Sequence, residues 1–100
     1  MIGATLESGG RHRWVISGSL DFDTVPRLWA QMSAELDSAD WVLDLNPVSR
    51  ANSAGLALLL EAHAASRRHG GKLRVEGLPA SLSQLGAMSG LDGFLDELRS

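Results

Sequence analysis

Apolar and polar residues alternate weakly over positions 3–8, Gly9 and Gly10 interrupt them, and Arg13 to Ser17 alternate again with Trp14 and Ile16 on one side. That pattern predicts a β-hairpin. Gly18 to Asp23 is a polar turn, after which the period lengthens: Leu28, Trp29, Met32 and Leu36 fall at helical spacing, and Pro26 sits where a first helical turn tolerates it. A helix is expected over 24–37, capped by Asp23 or Thr24, with its end at Asp37 to Asp40. Trp41, Val42, Leu43 and Leu45 then form an almost wholly apolar run, broken only by Asp44, as in a strand buried on both faces. Pro47 stops it at about Asn46.

After a loop, a second and longer helix is predicted over 53–69, capped by Asn52 or Ser53 and closed by Gly70 or Gly71. Lys72 to Glu76 reads as another strand, with Leu73 and Val75 on one face. Leu82, Leu85 and Met88 mark a short helix from Ala80 or Ser81, and Leu91, Phe94, Leu95 and Leu98 a last helical turn or two over the core. Two strands, helix, strand, helix, strand, helix is the order of an α/β domain. Its sheet should be mixed and parallel in its later part, with right-handed crossovers.

The long helix is unusual in being apolar on more than one side. Leu56, Leu59, Leu60, His63 and Ala64 read as the stripe turned to the core, while Ala54, Ala57, Leu58, Ala62 and Ala65 make the other side small and apolar, with Glu61 its main charge. Alanine alone is simply a good helix former; Leu58 among the alanines points to a protein interface on that face. The unpaired amides where this helix starts also favour an anion or a partner's carbonyl.

Composition narrows the function. One hundred residues make a single domain, 1–100, with room for one core. A net charge of -3 spread along the chain argues against nucleic acid; the densest cations, Arg67, Arg68 and Lys72, fall where a helix C-terminus favours positive charge. With no cysteine there is neither a disulfide framework nor a thiolate metal site, in keeping with a reducing compartment. No apolar run approaches the roughly 20 residues that span a bilayer, and the expectation is a cytoplasmic protein. His63 and His69 are six apart on one helix and His12 lies in the hairpin, so no metal site is expected. Ser17, Ser49 and Ser53 lack a nucleophile elbow, and Gly70 and Gly71 precede a strand and not a helix, so neither catalysis nor a phosphate cradle is read from them. No cofactor is called for. The pattern is that of a binding module and not an enzyme.

The run from Leu43 to Gly77, LDLNPVSRANSAGLALLLEAHAASRRHGGKLRVEG, resembles the STAS domain, the module of anti-sigma factor antagonists and of sulfate-transporter tails. An apolar strand ending Asp-Leu, a turn of the Asp-Ser-Ser-Gly or Asp-Thr-Ala-Gly type and a Leu-rich helix carry the likeness, and the element order matches over nearly the whole chain. The resemblance implies a SpoIIAA-like fold, a mixed four- to five-stranded sheet with helices packed on it. The phrase VSRANSAGLALLLEA and the pair Leu28 and Trp29 are most similar to the MlaB type, cytoplasmic STAS subunits of the Mla phospholipid transporter of Gram-negative bacteria.

That likeness implies a non-catalytic subunit that binds the transporter's ABC-type ATPase (MlaF-like) and lies peripheral to the inner membrane through the complex. The expected contact residues are Asn52, Ser53, Ala54, Ala57, Leu58 and Glu61. Two positions depart from the family pattern. Asn52 replaces the usual acidic residue, keeping the cap and losing the charge, and Ala54 stands where antagonists carry their phosphoacceptor serine, which removes the phosphorylation switch. One alternative is an antagonist that binds an anti-sigma factor or kinase without that switch. Another is a sensor that holds an anion or nucleotide at the helix N-terminus.

Overall fold

In the computed structural model, which describes residues 3–99, the hairpin is formed by β1 (Ala4–Ser8) and β2 (Arg13–Leu20). Then follow α1 (Val25–Glu35), β3 (Trp41–Asp44), β4 (Val48–Ala51), α2 (Ser53–Arg68), β5 (Leu73–Glu76), α3 (Ala80–Met88) and α4 (Asp92–Arg99). Residues 1, 2 and 100 of the expected domain lie outside the described residues. The strand order is β1-β2-β3-β5, with β4 paired to β2 beyond the end of β3. β1 runs antiparallel to β2, and the other pairs are parallel. The result is a single α/β domain with a mixed five-stranded sheet and four helices.

β4 is an element the sequence pattern did not give. The chain leaves β3 at Asn46 and Pro47, then returns to the same side of β2, pairing Gly18 with Val48 and Leu20 with Ala51 across a register shift after Gly18. Gly18 takes φ +92°, and a Cβ there would run into the carbonyl oxygen of Gly3, so only glycine lets β2 pass from one neighbour to the next. β2 accordingly continues to Leu20 through the stretch expected to be a turn.

The sheet is covered on one face. Trp14, Ile16, Leu43, Leu45, Leu73 and Val75 are buried, whereas their alternating neighbours Arg13, Val15, Val42, Asp44, Arg74 and Glu76 are half-buried or exposed. The expectation that β3 is buried on both faces is therefore corrected: all the helices pack on the side of the buried set, and Val42 and Asp44 face outward. Arg13 ties that outer face together, its Nη2 donating to Asp44 Oδ2 at 3.2 Å and to Glu76 Oε1, with Arg74 3.2 Å from Glu76. Inside, the Trp14 and Trp41 rings stack with centroids 3.9 Å apart, and their indole N–H groups reach Glu35 (3.3 Å) and Asp37 (3.0 Å).

α2 lies against α1, α3 and β5, and this packing on several sides decides which of its residues are buried. The core stripe consists of Gly55, Leu58, Leu59, Ala62, Ala65 and Ser66, with Ala54 and Leu56 at its start. Leu58 is 1% exposed and Ala54 3%, while Leu60 is 39% exposed. The expected phase of the helix was thus rotated. Leu58 and Ala54 are core residues, Leu60 belongs to the outer face, and Ala64 is only half-buried. Leu58, Leu59 and Leu60 are consecutive and spread over more than half the helix circumference, so apolarity alone does not select which of them points inward.

Candidate functional site

Two parallel strands, β2 and β4, end side by side, and the loops that leave them enter α1 and α2. In the first loop the Asp21 carboxylate accepts the N–H groups of Asp23 (2.9 Å) and Thr24 (3.0 Å). The Thr24 hydroxyl donates to the Ser19 carbonyl at 2.7 Å and accepts the Asp21 N–H at 3.0 Å. The Thr24 N–H bond, seconded by that of Asp23, holds the Asp21 carboxyl below its ordinary range despite a partial desolvation. Phe22, between these fixed residues, is 69% exposed.

In the second loop Asn52 does three things. Its N–H donates to the Leu20 carbonyl (3.1 Å), extending the β2–β4 ladder by one residue. Its Oδ1 accepts the Ala54 N–H (2.9 Å), and its carbonyl accepts the Gly55 N–H (2.9 Å). Asparagine thus caps α2 as expected and also fastens the helix start to the end of β2. At Gly55 closeness and not backbone conformation favours glycine: a Cβ there would lie 3.3 Å from Leu20 Cβ and 3.4 Å from Leu82 Cδ2, a tight fit. Between the loops is a shallow open notch of about 360 Å³, lined by Ser19, Leu20, Asp21, Arg50, Ala51 and Asn52.

From this corner the outward face of α2 continues as a stripe of Ser53, Ala57, Leu60, Glu61, Ala64 and Arg68. Of the expected contact residues, Asn52, Ser53, Ala57 and Glu61 are exposed on this continuous surface, and Ala54 and Leu58 are not. Leu60 and Arg68, together with Ala57, Glu61 and Ala64, line a shallow depression along it. Leu60 was missed as a surface residue because its leucine neighbours masked the phase. The spacing of Ser53, Ala57, Glu61 and Arg68, the small or polar positions, was the signal that could have set it.

Elsewhere, His12 lies 3.5 Å from Asp37, and His63 packs edge-on against Phe94. Among the described residues no group of three His, Cys, Asp or Glu side chains is placed to hold a metal ion.

The sequence model of the family described as "Mlab, STAS domain" matches residues 6–99. Two solved structures share the fold. The anti-sigma factor antagonist SpoIIAA in its unphosphorylated form is 21% identical, with a TM-score of 0.70 over 90% of this chain and 83% of its own. An anti-sigma factor antagonist from Mycobacterium paratuberculosis is 22% identical, with a TM-score of 0.64 over 100% of this chain and 87% of its own. No curated protein sequence gives a significant match.

Proposed function

The chain belongs to the family of Mlab-type STAS domains, and from that premise we propose that it is a non-catalytic subunit that docks on the ATPase of an ABC-type phospholipid transporter. The observation that supports this most is the outward stripe of α2. Ala57 and Ala64 let a partner's backbone come close, Leu60 offers an apolar anchor, and Ser53, Glu61 and Arg68 frame them with polar groups. The stripe runs without a break into the Asn52 corner and the notch beside it. A rigid helix held on several sides presents such a surface with little ordering cost on binding.

A docked subunit that prefers one conformation of the ATPase raises the population of that conformation by its differential affinity, with no chemistry of its own. Placement at the membrane then comes from the transporter: among the described residues no helix is long and apolar enough to cross a bilayer. The antagonist reading shares the fold. Ala54, however, has no hydroxyl to accept a phosphate, so an antagonist built on this chain would bind constitutively.

Affinity purification of the tagged protein from its native host, with mass spectrometry of what it retains, tests the proposal. An ABC-type ATPase retained in stoichiometric amount is the expected result. An anti-sigma kinase in its place would overturn the transporter reading and leave the antagonist one.

A further inference from the structure

At the far end of α2 from the docking corner, the helix's last turn, the start of β5 and the side of α4 enclose an open notch of about 350 Å³, lined by His63, Arg67, Gly70, Gly71, Lys72, Leu73 and Glu97. The proposed function makes no use of it. We infer that it binds a phosphate-type oxyanion, either a soluble phosphate or the phosphate of a lipid headgroup.

Three observations carry the inference. First, a helix C-terminus ordinarily repels anions through its bare carbonyls, and here three of them are bonded. The His69 N–H reaches the Ala65 carbonyl (3.1 Å), Gly70 reaches Arg67 (3.0 Å) and Gly71 reaches Ser66 (2.9 Å), with Gly70 at φ +88° making the turn. Second, His63 Nδ1 is buried with no hydrogen-bond partner. A buried N–H without an acceptor is costlier than a buried lone pair without a donor, so the neutral ring carries its proton on Nε2. The ring is half-buried and lines the notch, where Nε2 can donate.

Third, the two full cations there are lightly held. Arg67 meets Glu97 at 3.7 Å, with both side chains more than half exposed, and Lys72 forms no ion pair among the described residues. Arg67, Lys72 and His63 thus border one opening, in a volume at the lower end of small-ligand sites. The Glu97 carboxylate opposes an incoming anion and exchanges its hold on Arg67 when one binds.

The test is an amide and imidazole NMR titration of the full chain with inorganic phosphate, against chloride at matched ionic strength. Saturable shifts should be confined to His63, Gly70, Gly71, Lys72 and Leu73. Arg67→Gln and Lys72→Gln, both surface changes, should each weaken binding roughly tenfold, and Glu97→Gln should tighten it. A parallel flotation with phosphatidylglycerol vesicles distinguishes the sources: co-flotation lost in the same variants assigns a headgroup, and phosphate binding without co-flotation assigns a soluble ligand. Shifts that do not saturate, that chloride reproduces, or that all three variants leave unchanged would overturn the site. Binding of the ATPase by these variants should be unaltered, which keeps this inference separate from the proposed function.

Discussion

Leu58 and Leu60 stand two residues apart on α2, and truncating them should have opposite consequences. Leu58 is 1% exposed in the core that α2 forms with its neighbouring helices and the sheet, so Leu58→Ala removes buried methyl groups and leaves a cavity that close packing prevents from collapsing. Such a change costs about 2–5 kcal/mol. A 100-residue domain has of order 5–15 kcal/mol in total, so the variant should remain folded with a clearly lowered midpoint. Leu60 already exposes 39% of its surface and borders an open depression, so Leu60→Ala forfeits only part of a leucine's burial and creates no enclosed void. Partial burial of a side chain worth about 1.5–3 kcal/mol in full, offset by alanine's better helix propensity, leaves a cost below about 1 kcal/mol. Urea unfolding, followed by fluorescence of the stacked Trp14 and Trp41, measures both variants on one scale. Equal losses, or a larger loss for Leu60→Ala, would refute the helix phase and with it the proposed docking surface.

Asn52→Ala should cost about 1 kcal/mol through the lost cap on the Ala54 N–H, and Asn52→Asp should restore it, both read from the urea midpoint. Ser66→Ala should stabilise by up to about 1 kcal/mol, because the Ser66 hydroxyl is buried without a partner and alanine favours the helix; a loss would mean that this hydroxyl is bonded. Asp21, Asp37, Asp44 and Glu76 are all held below their ordinary pKa, chiefly by the backbone N–H groups of Thr24, Ala39 and Asn46 for the three aspartates and by Arg13 for Glu76. Depressed carboxyls lend stability that is fully present above the unfolded value of about 4 and is lost as pH falls through the folded values. The urea midpoint should therefore hold level from neutral pH to about 5 and fall below about 4. Arg13→Gln, which removes the main cause for Glu76, should make that acid fall shallower.

Element order was legible because each period change has a local cause. Pro47 ends β3, Asn52 caps α2, and Gly70 closes it, all visible as residue types. β4 was hidden because Val48 to Ala51 has no alternation of its own; its pairing depends on the break that Gly18 introduces in β2, a contact distant in sequence. The one-sided sheet was hidden for a related reason. Val42 is apolar yet faces outward, and only the placement of every helix on the opposite side reveals Asp44 as part of an outer ion network with Arg13 and Glu76. Of the residues expected at the candidate site, Asn52, Ser53, Ala57 and Glu61 are exposed, as the cap and the helical spacing implied. Ala54 and Leu58 were misplaced because three consecutive leucines leave the rotation of α2 to tertiary packing.

The most direct test of the docking proposal is calorimetric titration of the purified transporter ATPase subunit from the same host with the wild-type chain and with Ala57→Arg, a substitution on the exposed face that thermal melts should show to leave folding intact. The wild type should bind stoichiometrically, and the arginine, placed where the partner's backbone must lie flat, should weaken binding by about 2 kcal/mol or more, roughly thirtyfold. Wild-type affinity retained by a folded Ala57→Arg variant, or no binding by the wild type, would contradict it.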